Sequence, residues 1–352
     1  MPSTHNQRRR RNLIIGVVAS ILALWWSLSG LDWSQVGVAL RAARLWLFVP
    51  LVVVFWLHYL VRSYRWRYLL PPPHRAPIGD LFDGLIIGGA ATYLLPLRAG
   101  EFIRPYIVSR RGSYTYPVAL ASVVIERFFD LAAVLLSFGL VVSHIEALPP
   151  WVNRGAQGLG FLAAFLLAGI IVGAWFRSFI VASVRVLTPF LKTNLQNRLI
   201  HFVDDLLYAA VSLRDIPVLV RVLSATVLVW GSTFLSYYLF ILMIPALPAS
   251  FTISIAVTVV IALAVAAPSA PGFVGIYQAG SVAALSLYGV SAEDAVAFAI
   301  ISHATQYLLV LTFGALSIQR QGVRWGDLRE RVRNEESPLD AVDSISKNDH
   351  RD

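Results

Sequence analysis

PLRAG at residues 96–100 and PSAPG at residues 268–272 interrupt two long apolar segments, 81–103 and 253–277, and these breaks decide the fold. In each stretch a glycine stands four residues after a proline. A helix surrounded by lipid has no partner for the backbone groups that such a break frees. Interrupted helices at matching places in two halves are typical of transporter binding sites. The pair therefore predicts a protein that handles a polar group inside a membrane.

The composition indicates a membrane protein. Of 352 residues, 57% are hydrophobic and 14% are charged, whereas soluble domains carry about 25% charged residues. The 10 Trp and 13 Tyr suit the aromatic belts at the two membrane surfaces. The net charge of +9 is assigned to orientation signals and to anchors for anionic headgroups, so no nucleic acid partner is expected. The absence of cysteine excludes disulfides and thiolate metal sites.

Apolar segments long enough to enter the membrane recur along the chain, and most have the roughly 20 residues that a span requires. They are 13–29, 45–61, 81–97 (broken), 118–143, 159–176, 222–245, 251–267, 273–290 and 295–318. The first is interpreted as an uncleaved helix, because its apolar run is long for a signal peptide and contains two tryptophans. The prediction is an all-α polytopic membrane protein with seven to eight transmembrane helices plus re-entrant broken segments.

The basic residues predict the orientation. If 81–97 enters and leaves on the cytoplasmic side, most of the 29 Lys and Arg residues, Arg62 and Arg65 among them, lie in the cytoplasm. A complete crossing would invert every later loop and contradict the positive-inside rule. The sequence thus predicts a multi-pass protein of the cell (inner, cytoplasmic) membrane with both termini in the cytoplasm. Segment 251–290 crosses an even number of times, as two full spans or as a hairpin from outside. The hairpin would make the two halves an inverted repeat.

The chain divides into a basic cytoplasmic N-terminus (1–12), a transmembrane domain (13–321) and a charged, disordered cytoplasmic tail (322–352). The halves of the domain, 13–176 and 218–321, are joined by 177–217. Apolar residues recur at helical spacing in this joining segment: Leu199, Phe202, Val203, Leu206, Leu207 and Ala210. This spacing predicts an amphipathic helix at the inner membrane surface.

The first cluster of polar residues lies at the break between Pro96 and Gly100. Arg98, Glu101 and Arg104 recur every third residue, so on a helix they lie near one another. Two guanidiniums beside one carboxylate leave positive charge, and arginine presents a fork that suits phosphate. These three residues are predicted to bind a lipid phosphate. The alternative is an ion-paired helix end that sets the topology.

The second cluster, Glu126, Arg127 and Asp130, lies inside the apolar segment 118–143. A charge near the middle of a membrane costs several kcal/mol unless it is paired or hydrated. The three residues are therefore predicted to form an intramembrane charge network. Two further alternatives are that the network ties this helix to Arg98 or Arg104, or that one carboxylate titrates with substrate movement.

The third cluster is the second break, whose helix-breaking residues are Pro268, Pro271, Gly272 and Gly275. Irregular backbone at this depth is tolerated only where protein or water covers it. Gly272 lets a headgroup approach closely, and neutral polar side chains accompany it. The residues predicted to bind the headgroup here are Ser269, Gly272, Tyr277 and Gln278. The alternative is a kinked hairpin needed only for packing. His303 and Gln306, three apart in the last segment, are candidates to face the same cavity.

Taken together, these motifs resemble the transmembrane region of lysylphosphatidylglycerol synthases, the flippase-like domain family. The matching residues are LPLRAGE at 95–101 with Arg104 and Pro105, Glu126-Arg127 with Asp130, and Pro271-Gly272 with Gly275. Order and spacing agree from Asn12 to Gln321. The resemblance implies re-entrant segments in two subdomains, and, in two-domain members, flipping of the aminoacylated phosphatidylglycerol that a fused synthase domain makes. Here that synthase domain is expected to be absent, and Gln278 replaces a residue that is acidic in many relatives.

The leading functional prediction is a flippase that moves or binds an anionic lipid, either a phospholipid or a polyprenyl-phosphate-linked lipid. One alternative is a non-catalytic membrane partner of a separate glycosyl- or acyltransferase. The other is an intramembrane lipid-modifying enzyme with Glu126 or Asp130 as acid or base. The sequence contains no phosphate-binding Gly-x-x-x-x-Gly-Lys loop, no zinc-binding His-Glu-x-x-His pair and no Gly-x-Ser-x-Gly nucleophile motif. Catalytic residues, metal and cofactors are therefore not expected.

Overall fold

The structure is a computed structural model that describes residues 4–72, 76–95, 98–110, 114–142, 150–190, 193–266 and 269–322. Within these ranges all regular structure is helical, which confirms the all-α membrane class. The α-helices are α1 (Thr4–Leu28), α2 (Trp33–Arg41), α3 (Phe48–Leu69), α4 (Ile78–Leu94), α5 (Gly100–Ser109), α6 (Tyr116–Val142), α7 (Pro150–Trp175), α8 (Arg177–Leu187), α9 (Thr193–Ala209), α10 (Ile216–Met243), α11 (Phe251–Ala266), α12 (Ile276–Ser286) and α13 (Ala292–Gln321).

Fewer helices meet the length and hydropathy of a full span than the seven to eight predicted. Four do so among the described residues: Leu45–Leu69, Gly158–Trp175, Ile216–Met243 and Ala292–Gln321. A fifth is counted if α1 and α2, which meet at 85°, form one broken span. The difference has two physical reasons. Helix α6 carries three ionisable residues in its apolar sequence, and α11 and α12 have only 16 and 11 residues.

The first broken segment folds back on itself as a hairpin of α4 and α5. Gly100 at the start of α5 lies against Gly88, and Arg104 one turn later lies against Gly84, so the two helices are antiparallel. Helix α5 has 10 residues, about 15 Å, which is half of the membrane core. Both ends of the hairpin therefore lie on the same side, as in a re-entrant segment. Pro96 lies outside the described residues.

Glycine is required where these two helices touch. A Cβ atom at Gly100 would overlap the carbonyl oxygen of Gly88 and the hydroxyl of Thr92. Thr92 already donates its hydroxyl to the same carbonyl at 2.9 Å. The close approach of α4 and α5 thus depends on the absence of a side chain at Gly100.

The second broken segment is also a hairpin, formed by α11 and α12. Gly280 of α12 lies against Ile261 and Ala264 of α11. The break between the helices contains a short 3-10 turn, Pro271–Phe273, and two glycines with positive φ, Gly272 (69°) and Gly275 (88°). Pro268 lies outside the described residues.

The two hairpins approach α13 from opposite ends. Asp83, near the start of α4, binds Arg320 at the end of α13 at 2.5 Å. Tyr93, near the end of α4, makes an edge-to-face contact with Tyr307 in the middle of α13, with ring centroids 4.5 Å apart. The second hairpin instead shares a hydrophobic core with the first turns of α13, including Phe298. The two tips therefore meet near the middle of this 30-residue helix.

Helices of the first half pack against helices of the second half. The order helix, broken hairpin, helix occurs twice, as α3 to α6 and as α10 to α13. Helices α3 and α10 pack against each other, α4 packs on α13, and α11 packs on α6. Each hairpin thus contacts the long helix that follows the other hairpin. The two halves thus make equivalent contacts, as structural repeats do.

The joining segment forms two helices rather than one. Helix α8 has no buried residue, whereas α9 packs on α6 and buries Ile200 and Leu207. Arg177 of α8 and Asp204 of α9 form an ion pair at 2.7 Å. Both helices carry an apolar and a polar face, and such amphipathic helices fit the predicted place at the membrane surface. The predicted disordered tail, beyond residue 322, lies outside the described residues.

Candidate functional site

A buried carboxylate, Glu126 of α6, is the centre of a charge cluster. Its Oε1 atom accepts hydrogen bonds from Arg62 Nε at 3.0 Å, Arg65 Nη2 at 3.0 Å and Arg127 Nη2 at 3.3 Å. Arg104 binds both carboxylate oxygens with its two terminal nitrogens. The side chain of Glu126 has no exposed surface. One carboxylate is therefore held by four guanidiniums from three helices, α3, α5 and α6.

Two further carboxylates extend the cluster. Asp130, one turn after Glu126, binds Arg65 at 2.8 Å and Arg127 at 3.3 Å and also accepts a bond from the Trp230 indole at 3.3 Å. On the other side, Glu101 lies 3.6 Å from Arg104 and 3.7 Å from Arg127. The predicted network of α6 is thus joined to α5. We call these seven residues the charge cluster: Arg62, Arg65, Glu101, Arg104, Glu126, Arg127 and Asp130.

The charge cluster carries one net positive charge, because four guanidiniums face three carboxylates. Its inner arginines are buried, since the side chains of Arg65 and Arg104 are 0% and 3% exposed. Its outer arginines are accessible, since the side chains of Arg62 and Arg127 are 20% and 39% exposed. Charge taken into a low-dielectric site is costly unless a counter-charge neutralises it. The accessible side of the cluster is therefore suited to a single anionic group.

Local packing positions these side chains. Arg104 lies over the ring of Trp66, with its guanidinium carbon 4.7 Å from the ring centroid. The indole of Trp66 in turn donates to the Ser122 hydroxyl at 2.9 Å. Because Trp66 is on α3 and Ser122 is on α6, these contacts fix the three helices that supply the arginines.

The sequence analysis missed two members of the cluster. It treated Arg62 and Arg65 as orientation charges, yet Arg65 is fully buried between Glu126 and Asp130. A signal was present, because the two arginines stand three residues apart at the end of an apolar helix and so share a face. Their partners, about 60 residues further along the chain, carried no matching signal.

The second break is held by a network of neutral hydrogen bonds. His303 Nε2 lies 2.9 Å from the Gly272 carbonyl oxygen, and His303 Nδ1 lies 3.3 Å from Gln278 Nε2. Gln278 Oε1 accepts from the Gly275 amide at 2.7 Å, so its amide nitrogen faces the imidazole. A carbonyl can only accept, so Nε2 carries the proton, Nδ1 accepts, and the imidazole is neutral. Gln278 and His303 thus satisfy the irregular backbone.

Tyr277 lies inside the protein beside this network, with 3% exposure. Its hydroxyl bonds to Ser302 at 2.9 Å, Tyr237 at 3.2 Å and Gln306 at 2.9 Å. Its ring stacks on His303 with centroids 4.2 Å apart. The structure therefore places Tyr277, His303 and Gln306 together at the second break, away from the charge cluster. Ser269, also at this break, is half-buried.

Arg98 makes its hydrogen bond to the opposite hairpin. Its Nη2 atom donates to the Val265 carbonyl oxygen at 2.7 Å, and its guanidinium carbon lies 5.5 Å from the centroid of the Phe273 ring. The first break is thus connected to the second through one side chain. Among the residues that the structure describes, no group of three or more His, Asp or Glu side chains is placed to bind a metal.

Comparisons with known proteins agree with this architecture. The family model described as the lysylphosphatidylglycerol synthase TM region matches residues 13–314. Among curated proteins, Glycosyltransferase AglD of Haloferax volcanii is 28% identical to this chain over 167 residues. The matched region is 47% of this chain and 26% of that relative. The chain thus covers about a quarter of the relative's length. No solved structure matches. The chain belongs to the lysylphosphatidylglycerol synthase transmembrane-region family.

Proposed function

We propose that this protein binds an anionic, phosphate-bearing lipid at the charge cluster and moves its headgroup across the cytoplasmic membrane. One observation carries the proposal: a positively charged, partly accessible cluster lies within a flippase-like membrane domain whose two broken hairpins meet. Arg62 and Arg127 present guanidiniums at its accessible side. Such groups form short, charge-assisted and often two-pronged hydrogen bonds with phosphate oxygens.

The arginines and Glu101 have separate roles in this proposal. Arg62, Arg127 and Arg98 bind the lipid phosphate, while Arg104 and Arg65 hold Glu126 and keep the pocket positive. Glu101, whose side chain is 27% exposed, accepts hydrogen bonds from hydroxyl or amine groups of the headgroup. These contacts recognise a phosphate with polar substituents, so the substrate class includes phospholipids and polyprenyl-phosphate-linked sugars.

The two breaks form the path of the headgroup. Their tips meet near the middle of α13, where half-buried polar groups of the breaks can exchange internal hydrogen bonds for bonds to a headgroup. The acyl chains remain in lipid outside the helices. No ATP-binding motif occurs in the sequence, and we propose that movement is passive or coupled to an ion gradient. The proposal puts both termini in the cytoplasm, on the basis of the positive-inside rule, and includes no chemical step on the lipid.

The test is lipid movement in proteoliposomes. Protein is reconstituted with phosphatidylglycerol or phosphatidylcholine that carries a fluorophore on an acyl chain, and a membrane-impermeant quencher reports how fast the inner-leaflet lipid becomes accessible. We expect fast movement of phosphatidylglycerol and slower movement of phosphatidylcholine. Arg127→Ala removes a charge-assisted hydrogen bond, so the phosphatidylglycerol rate should fall about tenfold.

The matched control is Arg177→Ala. Arg177 is a similarly exposed arginine (34%), which pairs with Asp204 on the surface helices outside the hairpins. Its variant should keep the rate of the unmodified protein. Equal rates for the two lipids, or an Arg127→Ala rate equal to that of the control, would contradict the proposal.

The relative's name favours one alternative, a non-catalytic membrane partner of a separate glycosyl- or acyltransferase. The matched relative is named a glycosyltransferase, and the match covers 26% of it. In this alternative the chain supplies a membrane domain to an enzyme encoded separately. Affinity purification in mild detergent would support it if a glycosyl- or acyltransferase co-purified in stoichiometric amount while the purified chain moved no lipid.

A further inference from the structure

Each hairpin contains one residue with an unfavourable backbone at the point where it meets the other. Among the described residues, Arg98 (φ 54°) and Phe273 (φ 62°) are the non-glycine residues with positive φ. Side chains disfavour this region, and residues held in it cluster at binding sites and switch regions. These two residues also contact each other, with the Arg98 guanidinium 5.5 Å from the Phe273 ring centroid.

The hydrogen bond between the hairpins uses an acceptor at a helix end. Val265 lies in the last turn of α11, which ends at Ala266, and the final four carbonyls of a helix lack an intrahelical partner. They also form the negative end of the helix dipole, which favours a cation. Arg98 satisfies this carbonyl at 2.7 Å. We call the contacts of Arg98 with Val265 and Phe273 the tip contact.

A headgroup at the charge cluster can reach the tip contact. Arg98, Val265 and Phe273 are all half-buried rather than sealed. Arg98 precedes Glu101, a member of the charge cluster, by three residues, and α5 begins between them. The two free oxygens of a lipid phosphate share a negative charge, so each is a stronger acceptor for a guanidinium than a neutral carbonyl oxygen. The carbonyl therefore occupies the place that an anion would take.

We infer that the tip contact closes the path between the two hairpins until a lipid phosphate displaces the Val265 carbonyl from Arg98. The inference rests on the function proposed above and deepens it, because it makes substrate binding the event that separates the tips. When the Val265 carbonyl is displaced, Arg98 binds the phosphate and the C-terminal end of α11 loses the cation that caps it. Arg98 and Phe273, the two residues with positive φ, then no longer contact each other. A zwitterionic lipid, whose own ammonium group competes with Arg98 for the phosphate, separates the tips less.

The chain contains no cysteine, so spin labels can be placed at two chosen positions. Leu94 of α4 and Leu263 of α11 lie near the two tips and are 48% and 40% exposed. The Leu94→Cys, Leu263→Cys protein is labelled, and inter-spin distances are measured in phosphatidylcholine nanodiscs with and without phosphatidylglycerol. We expect one short distance in phosphatidylcholine and a second, longer distance when phosphatidylglycerol is added.

Variants at Arg98 test whether the tip contact sets the inter-spin distance. Arg98→Gly removes the side chain at a φ that glycine adopts freely, and it should give the longer distance even in phosphatidylcholine. Arg98→Lys keeps a donor and should restore part of the short distance. The control is Arg110→Ala, an exposed arginine of the same hairpin that stacks on Tyr106, and it should leave both distances unchanged.

The outcomes also separate this inference from the proposed function. If phosphatidylglycerol is transported but the distances are the same in every lipid and in Arg98→Gly, the tip contact does not control the path. In the second outcome, Arg98→Gly separates the tips, but in the protein with Arg98 phosphatidylglycerol is not transported and does not change the inter-spin distance. The contact then joins the hairpins without responding to lipid. The second result overturns both the inference and the proposed function.

Discussion

Arg65 and Glu126 lie 3.0 Å apart, and neither side chain has any exposed surface. An isolated charge at such a place would be very costly, so both are retained only because the cluster around them supplies partners. Glu126 contacts all four arginines of the charge cluster. It is therefore the residue whose charge the other members most depend on.

Replacing Glu126 with Gln should destabilise the protein strongly. The variant keeps the size of the side chain but leaves four guanidiniums around a neutral amide, and breaking a buried ion pair costs about 3–5 kcal/mol. The measurement is the melting temperature of detergent-solubilised protein, together with the yield of monodisperse material. Glu293→Gln is the control, because Glu293 lies at the surface and accepts one 3.4 Å bond from the Asp32 amide. A melting temperature equal to that of the control would contradict the central role of Glu126.

Replacing Arg62 with Ala should impair lipid movement while sparing the fold. Glu126 keeps three other arginines in this variant, so the yield should stay near that of the unmodified protein. The loss of one accessible guanidinium should slow phosphatidylglycerol movement about tenfold. The rate is measured in the same proteoliposome assay, with Arg110→Ala as the arginine control. An unchanged rate at normal yield would remove Arg62 from the lipid site.

Replacing Gly100 with Ala should disrupt the first hairpin. The new Cβ atom would overlap the Gly88 carbonyl and the Thr92 hydroxyl, and overpacking of this kind costs about 1–3 kcal/mol. The measurement is thermal unfolding in detergent. Gly139→Ala in α6 is the control, because nothing lies within 4 Å of the added methyl. There the gain in helix propensity should leave stability equal or higher. Equal stability of the two variants would show that α4 and α5 do not pack this closely.

Replacing Tyr277 with Phe should weaken the second break. The variant keeps the ring stacked on His303 but removes a hydroxyl with three hydrogen-bond partners. Leaving those buried partners short of a bond should cost about 1–3 kcal/mol. Thermal unfolding measures the loss. The control is Tyr238→Phe, because Tyr238 is half-buried and makes an edge-to-face contact with Phe251 that phenylalanine keeps. An unfolding temperature equal to that of Tyr238→Phe would mean that the hydroxyl network does not hold the break.

Much of the architecture was predictable because it depends on local chemistry. A proline followed four residues later by a glycine inside a long apolar segment is typical of an interrupted helix, so both breaks could be located from the sequence. The charges of α6 could be recognised as a network, because three ionisable residues in an apolar helix must find partners. The third cluster was also located, whereas the hydrogen bonds that Tyr277 and Gln278 make within the protein became visible only in the structure.

The membrane class, the two breaks and the need for partners to Glu126 could be read from the amino-acid sequence. Each of these follows from the composition or from residues a few positions apart. The folded chain was needed to show which arginines bind Glu126, and that Arg98 reaches Val265, 167 residues away. The physical reason is that such contacts depend on how closely two helices approach and in which register. Distant parts of the chain set that geometry together, and no local pattern records it.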